Sequence, residues 1–334
     1  MRNRNYTIIL GTCLLGFLLQ TLPLQSQQLP VSTHYTFNRY SLDPAFAGAY
    51  DDAAVYLNYR RDWGNISGSP KTFRLNGYGK VHDKMFLGGE IMADNTDIFN
   101  RVKVGLNYTY RLQMANDQFL SFAMGGNFYQ SVIRLDQVNA DHDDPLLKDL
   151  DRITGSNFNA NFGLVYNWNH FHLGLGLPVL FRTKDAYNKG ADAKFTFDRA
   201  FLMHISNRFT LDELWQLQLF GVFQKTNNLP AVIDISATAF YDDTYHFGLM
   251  YRNNNALVLG LGGELIDGFV IGYSYEMGFG GVYNGSGGAH EITVGYRITT
   301  KKITHFYDAD ARKKRTTPVR PVKPGPKPVE FNRR

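Results

Sequence analysis

The chain has 334 residues, enough for one large barrel or two ordinary domains, and 14% of it is aromatic (20 Tyr, 25 Phe), a share that both membrane barrels and soluble β proteins reach. Beyond the first residues no apolar run approaches the roughly 18 needed for a membrane helix. The net charge of +5 does not point to nucleic acid. Arg2 and Arg4 contribute +2 and residues 301–334 a net +8, so the remainder carries −5.

Residues 1–26 read as a secretory signal. Arg2 and Arg4 form a basic start, residues 8–22 are mostly apolar, and Ser26 offers a small residue for cleavage. A lipoprotein reading of Leu10-Gly11-Thr12-Cys13 is weakened by the short apolar run before Cys13. Cys13 is the only cysteine, so a mature chain would hold no thiol or disulfide. Next comes an N-terminal segment with Tyr35-Thr36-Phe37-Asn38-Arg39-Tyr40 and Leu42-Asp43-Pro44-Ala45-Phe46-Ala47-Gly48. Asp-Pro favours a turn and Gly48 permits a tight bend, which predicts a turn-rich entry piece packed at a periplasmic mouth.

From residue 53 onward the sequence alternates. In the hairpin over 101–128, Val102, Val104, Leu106, Tyr108, Tyr110 and Leu112 alternate with Arg101, Lys103, Gly105, Asn107, Thr109 and Arg111. The return strand repeats this, with Leu120, Phe122, Met124 and Phe128 on one row. Successive strand side chains point to opposite faces, so one row is apolar and the other polar or small. One such hairpin also suits a soluble sandwich. The pattern, however, recurs to residue 298 after an export signal.

Strands are predicted at 53–60, 72–80 and 86–93, in the 101–128 hairpin, at 158–168, 171–180, 195–205, 214–225 and 231–241, and then at 244–252, 256–266, 269–279 and 289–298. That makes about fourteen. With the first strand running outward, the inner connections are short and several outer ones are long, notably 131–157 and 182–194. This asymmetry belongs to outer-membrane β-barrels. The fold class expected is therefore all-β: a transmembrane antiparallel β-barrel over 27–298, including the N-terminal segment, after a signal peptide. Leu173, Leu175 and Leu177, or Leu257, Leu259 and Leu261, would face lipid. Whether the lumen is open or filled is not legible in the pattern.

Two separated stretches carry a family resemblance. Phe37, Asn38, Asp43, Pro44, Ala45 and Gly48, then Arg60, Trp63, Gly68, Pro70 and Thr72 in and after Tyr59-Arg60-Arg61-Asp62-Trp63, resemble motifs of the PorP/SprF family. So do Gly272-Tyr273-Ser274-Tyr275 and Gly287-Gly288-Ala289-His290-Glu291-Ile292 near the far end, which add His290 and Glu291 to the motif positions. Asp43 stands where the family usually has Asn, and Ala289 where Ser is common. The resemblance spans about 34–298. It implies an outer-membrane component of the type IX secretion and gliding-motility apparatus, set in outer-membrane lipid. It further implies association with the periplasmic ring lipoprotein assembly, or export of a secreted adhesin, and no enzymatic turnover.

Chemistry is sparse. Asp141-His142-Asp143-Asp144 lacks the glycine turn and distal Glu of a calcium loop, and reads as a solvated acidic loop more readily than as a metal site. His204, His246 and His290 lie in strands and are expected at the lumen or interface, not in a triad. The glycines of 278–288 precede neither a helix nor a Lys-Ser/Thr, so they form no phosphate cradle. No cofactor is expected. The alternative function is a transport barrel, either a porin or an apolar-solute channel.

Residues 299–334 change regime. Five of the twelve prolines lie there among eleven Lys/Arg, a composition that cannot bury a core. The tail is expected to be disordered and periplasmic, with Arg312, Lys313, Lys314 and Arg315 as candidate contacts to an acidic partner or the cell wall.

Overall fold

The computed structural model describes residues 32–135, 152–184, 186–187, 196–253, 255–266, 268–280 and 285–298. The expected signal peptide with Cys13, the Asp141–Asp144 cluster and the basic tail lie outside them.

The chain forms one closed antiparallel barrel of fourteen strands. In order these are β1 (Ala53–Arg61), β2 (Lys71–His82), β3 (Met85–Thr96), β4 (Phe99–Ala115), β5 (Gln118–Arg134), β6 (Arg152–Trp168) and β7 (Phe171–Val179). Then come β8 (Ala200–Thr210), β9 (Trp215–Thr226), β10 (Val232–Tyr241), β11 (Tyr245–Arg252), β12 (Ala256–Ile266), β13 (Phe269–Gly278) and β14 (Ala289–Ile298). Each strand pairs with its neighbour in sequence. β14 closes on β1 from Ala53↔Ile298 to Arg61↔His290. Closure leaves no open sheet edge to lipid, which offers no hydrogen-bond partners.

The alternation sorts the faces as the sequence predicts. Leu106 is 72% exposed and Val102, Val104 and Tyr108 are also outward, whereas Arg101, Asn107 and Thr109 are buried inside. Leu173, Leu175, Leu259 and Leu261 likewise face out. Asp and Asn hold the left-handed corners of several inner turns, with φ of 61° at Asp117, 50° at Asn169 and 52° and 54° at Asp242 and Asp243. These side chains tolerate that conformation.

Two expectations need correction. The eighth strand begins at Ala200, not 195. Phe197 turns inward to pack against Tyr129 in a tilted pair, ring centroids 4.6 Å apart, within a buried cluster with Val179 and Ala200. Its apolar character belongs to a lumen contact and not to a lipid row. The larger correction concerns the N-terminal segment. It does not sit at the periplasmic mouth but runs through the barrel interior.

Candidate functional site: the filled lumen

The segment from Ser32 to Asp52 consists of three 3-10 turns (His34–Thr36, Arg39–Ser41, Pro44–Phe46) linked by bends. Asp43 starts the third turn by accepting a hydrogen bond from Ala45 N at 2.8 Å, with Pro44 at the first position. This is how the Asp-Pro pair folds locally. Gly48 has φ +74° where the chain bends beneath Phe86 before entering β1.

The outer end of this plug is fastened to one carboxylate. Ser32 Oγ donates to Glu291 Oε1 at 2.6 Å, and Thr33 donates to Oε2 through its backbone N (2.9 Å) and its hydroxyl (2.7 Å). From the wall, Asn58 Nδ2 (2.8 Å) and Arg60 (3.2 Å) donate to the same group. Arg60 continues to Glu276 (3.0 Å) and Asp62 (2.6 Å), and Arg252 bridges Asp234 (2.7 Å) and Glu276 (3.2 Å). Tyr35 OH donates to Asp234 at 2.9 Å. Shared bonds of this kind stabilise buried charges that would be costly alone. His34 lies here too, its Nδ1 2.7 Å from Thr293 Oγ1. Burial holds its imidazole below the ordinary value; Glu291 pulls the other way and Arg60 adds to the lowering.

In the middle, Asp43 faces His204 Nε2 at 3.3 Å. It occupies the space over Gly163, where a Cβ would stand 2.0 Å from its Oδ1. Phe46 packs between His172 and His204, at 5.0 and 5.1 Å. Asn38 Nδ2 donates to Asn76, and Asn107 Nδ2 donates to Tyr40 OH. Toward the periplasm, Arg39 donates to Gln218 Oε1 and His172 Nδ1, both at 2.9 Å, and to Tyr50 OH. Phe37 rests on Gly272 beside His246. The plug supplies apolar anchors to three of the interior clusters: Tyr40 and Ala47 in one, Tyr35 in a second, and Ala45, Phe46 and Ala49 in the third. A cavity of about 140 Å³ remains on the periplasmic side, lined in part by Phe37, Arg39, Arg208 and Arg297.

The motif residues therefore fall in several places. Phe37, Asn38, Asp43, Pro44, Ala45 and Gly48 belong to the plug; Arg60 and Glu291 form its receptor. Trp63, Gly68 and Pro70 build the first outer loop, where Gly64 N donates to Gly288 O (3.1 Å) and Asn65 N to Ser286 O (3.0 Å) of the last. Trp63 holds φ 49° in this loop. Thr72 Oγ1 donates to Asp94 at 2.8 Å. His290 sits on the outer face of its strand, with Tyr273 OH 2.8 Å from its Nδ1. Of the other strand histidines, His204 is buried in the lumen and His246 meets the plug through Phe37. Sequence reasoning missed Ser32, Thr33, Asp234, Arg252 and Glu276. The last three stand on lumen rows near the outer ends of strands, and that placement was the available signal.

Among the described residues no group of three or more His, Cys, Asp or Glu is placed to hold a metal ion. The arrangement is that of a seat: a wall of donors and acceptors matched to one segment of the same chain.

No curated protein matches the sequence. The chain also aligns with solved outer-membrane proteins at low identity. The CymD monoaromatic hydrocarbon channel is 10% identical, with TM-score 0.49 over 81% of this chain and 95% of that one. The toluene transporter TbuX of Ralstonia pickettii is 11% identical, with TM-score 0.47 over 76% of this chain and 91% of that one. Omp33 of Acinetobacter baumannii is 7% identical, with TM-score 0.44 over 75% and 100%. The family described as type IX secretion system membrane protein PorP/SprF matches residues 24–296, from before the plug into the closing strand. With that span matched, the chain belongs to the PorP/SprF family and is an outer-membrane component of the type IX secretion system.

Proposed function

We propose that this protein is a non-enzymatic anchor, holding periplasmic ring proteins of the secretion and gliding machinery, or a secreted surface adhesin, to the outer membrane. The observation that carries this reading is the filled lumen. A barrel whose interior holds its own N-terminal segment, from the Glu291 seat of Ser32 down to Gly48, leaves its two faces as the working surfaces. The domain plan is a cleaved signal over residues 1–26, the barrel and plug, and a periplasmic tail over 299–334. The tail, with Arg312, Lys313, Lys314 and Arg315, supplies charge attraction to an acidic partner or to the cell wall, which speeds capture. The outer loop carrying Trp63, Gly68 and Pro70 is the surface offered to an adhesin.

Affinity purification from the native envelope tests this. Ring lipoproteins or an adhesin should co-purify with the full chain, and a chain ending at 300 should insert but recover less of the periplasmic partner. Recovery of no machinery component by the full chain would defeat the anchor reading. Equal recovery with and without the tail would remove the tail from it.

A further inference from the structure

We infer that the N-terminal segment is a releasable gate, and that the barrel has a second, hydrated state that passes small hydrophilic solutes. This goes beyond the anchoring role and does not depend on it. Three observations converge.

The first is the chemistry of the wall behind the segment. Asn58, Asn76, Asn107, Gln218, Ser274 and Thr293 line it, all buried in the closed form. A wall meant to be covered permanently is stabilised best by apolar side chains; one lined with amides and hydroxyls is equally at home against water.

The second is the quality of the joint. Polar atoms along it are buried without a protein partner on both sides: His34 Nε2 and Asn38 Oδ1 on the segment, Asn76 Nδ2, His172 Nε2, His204 Nδ1 and Gln218 Nε2 on the wall. Water is the natural partner of each, because buried polar groups are ordinarily paired. A joint with such atoms along it is one that water can enter.

The third is the latch. The outer end of the segment gathers on one carboxylate, Glu291, through three hydrogen bonds from Ser32 and Thr33, with Tyr35 on Asp234 beside it. The other end continues directly into β1 at Ala53. A segment tied covalently at the periplasmic rim and most densely bonded at the far end leaves as a tethered piece once that latch opens and the Asp43–His204 and Arg39–Gln218 contacts behind it follow. Fourteen strands lie between barrels filled by their own side chains and those holding an aqueous channel, so the emptied lumen conducts.

The test is potassium chloride conductance of the full-length protein in planar bilayers, with liposome swelling in arabinose as the solute readout. Wild type should be closed with rare openings. Glu291→Gln, which weakens the acceptor, should raise open probability roughly tenfold or more. Ser32→Ala with Thr33→Ala removes two of the three bonds without altering any strand, and covers the case in which Glu291→Gln fails to insert. Thr33 Oγ1 and Ser274 Oγ are 2.8 Å apart, so Thr33→Cys with Ser274→Cys forms a lock. Oxidised it should be silent, and reductant should restore openings. Heat-modifiable gel mobility confirms that each variant is a folded barrel. Folded latch variants as silent as wild type would overturn the inference, as would a locked barrel that conducts like the unlocked one.

Discussion

Single side chains decide how the plug is seated, and His34 and Arg252 show this from two directions. His34 faces Glu291, Arg60 and His246, and burial keeps its imidazole below the unfolded value of about 6.5. A depressed value means that neutral His34 contributes seating free energy that is fully present above about pH 6.5. That contribution is lost as pH falls through the lower folded value. Hydrogen exchange over 33–38, corrected for intrinsic rates, should show protection falling between about pH 7.5 and 5 in wild type and much less in His34→Gln. Arg252 is 1% exposed and bridges Asp234 and Glu276. Arg252→Met leaves two carboxylates without this cation and should cost about 3–5 kcal/mol, read as a lower temperature for loss of the compact gel band. Neither residue stood out in the sequence. An isolated charge on a lumen row carries no local signal, and its partners arrive from strands far apart in the chain.

At the level of strands and turns, legibility followed the range of the interactions. Period-two alternation placed nearly every strand within a few residues because it depends only on which face meets lipid. Asp43-Pro44 announced its turn because the cap is local, whereas the destination of that turn was set by His204, Gly163 and Glu291 and could not be read. The misplaced start of β8 has the same origin, since Phe197 looks lipid-facing until Tyr129 is beside it. β7 supplies a further case. Its pairing to β6 ends at Phe162↔Leu177, just before Pro178, which lacks an N–H to donate. Asn159 then takes over the ladder, accepting from Leu180 N and Phe181 N (both 3.1 Å) and donating to Phe181 O (2.8 Å) and Thr183 Oγ1 (3.0 Å). Asn159→Ala should cost about 1–3 kcal/mol and speed exchange at 180–183 while leaving β1–β4 unaffected. Gly163→Val fills the space of the Asp43 carboxylate and should expose Ser32–Asp52 to added protease in an otherwise intact barrel.

For the whole molecule, the membrane supplies the sorting rule. Leu106, near the centre of β4, is 72% exposed. Leu106→Arg should cost about 2–4 kcal/mol if it lies at the bilayer midplane, measured by urea unfolding in vesicles, whereas a charge at the neighbouring lumen position should be tolerated better. The bond from Thr33 N to Glu291 spans 258 positions, so it joins a stretch exported ahead of every strand to the strand that completes the cylinder. Seating therefore has to wait for β14: the earliest part of the body to reach the periplasm is among the last to come to rest. Whatever escorts the unfolded chain must therefore keep the outer end of that leading stretch free to reach Glu291 when the last strand arrives.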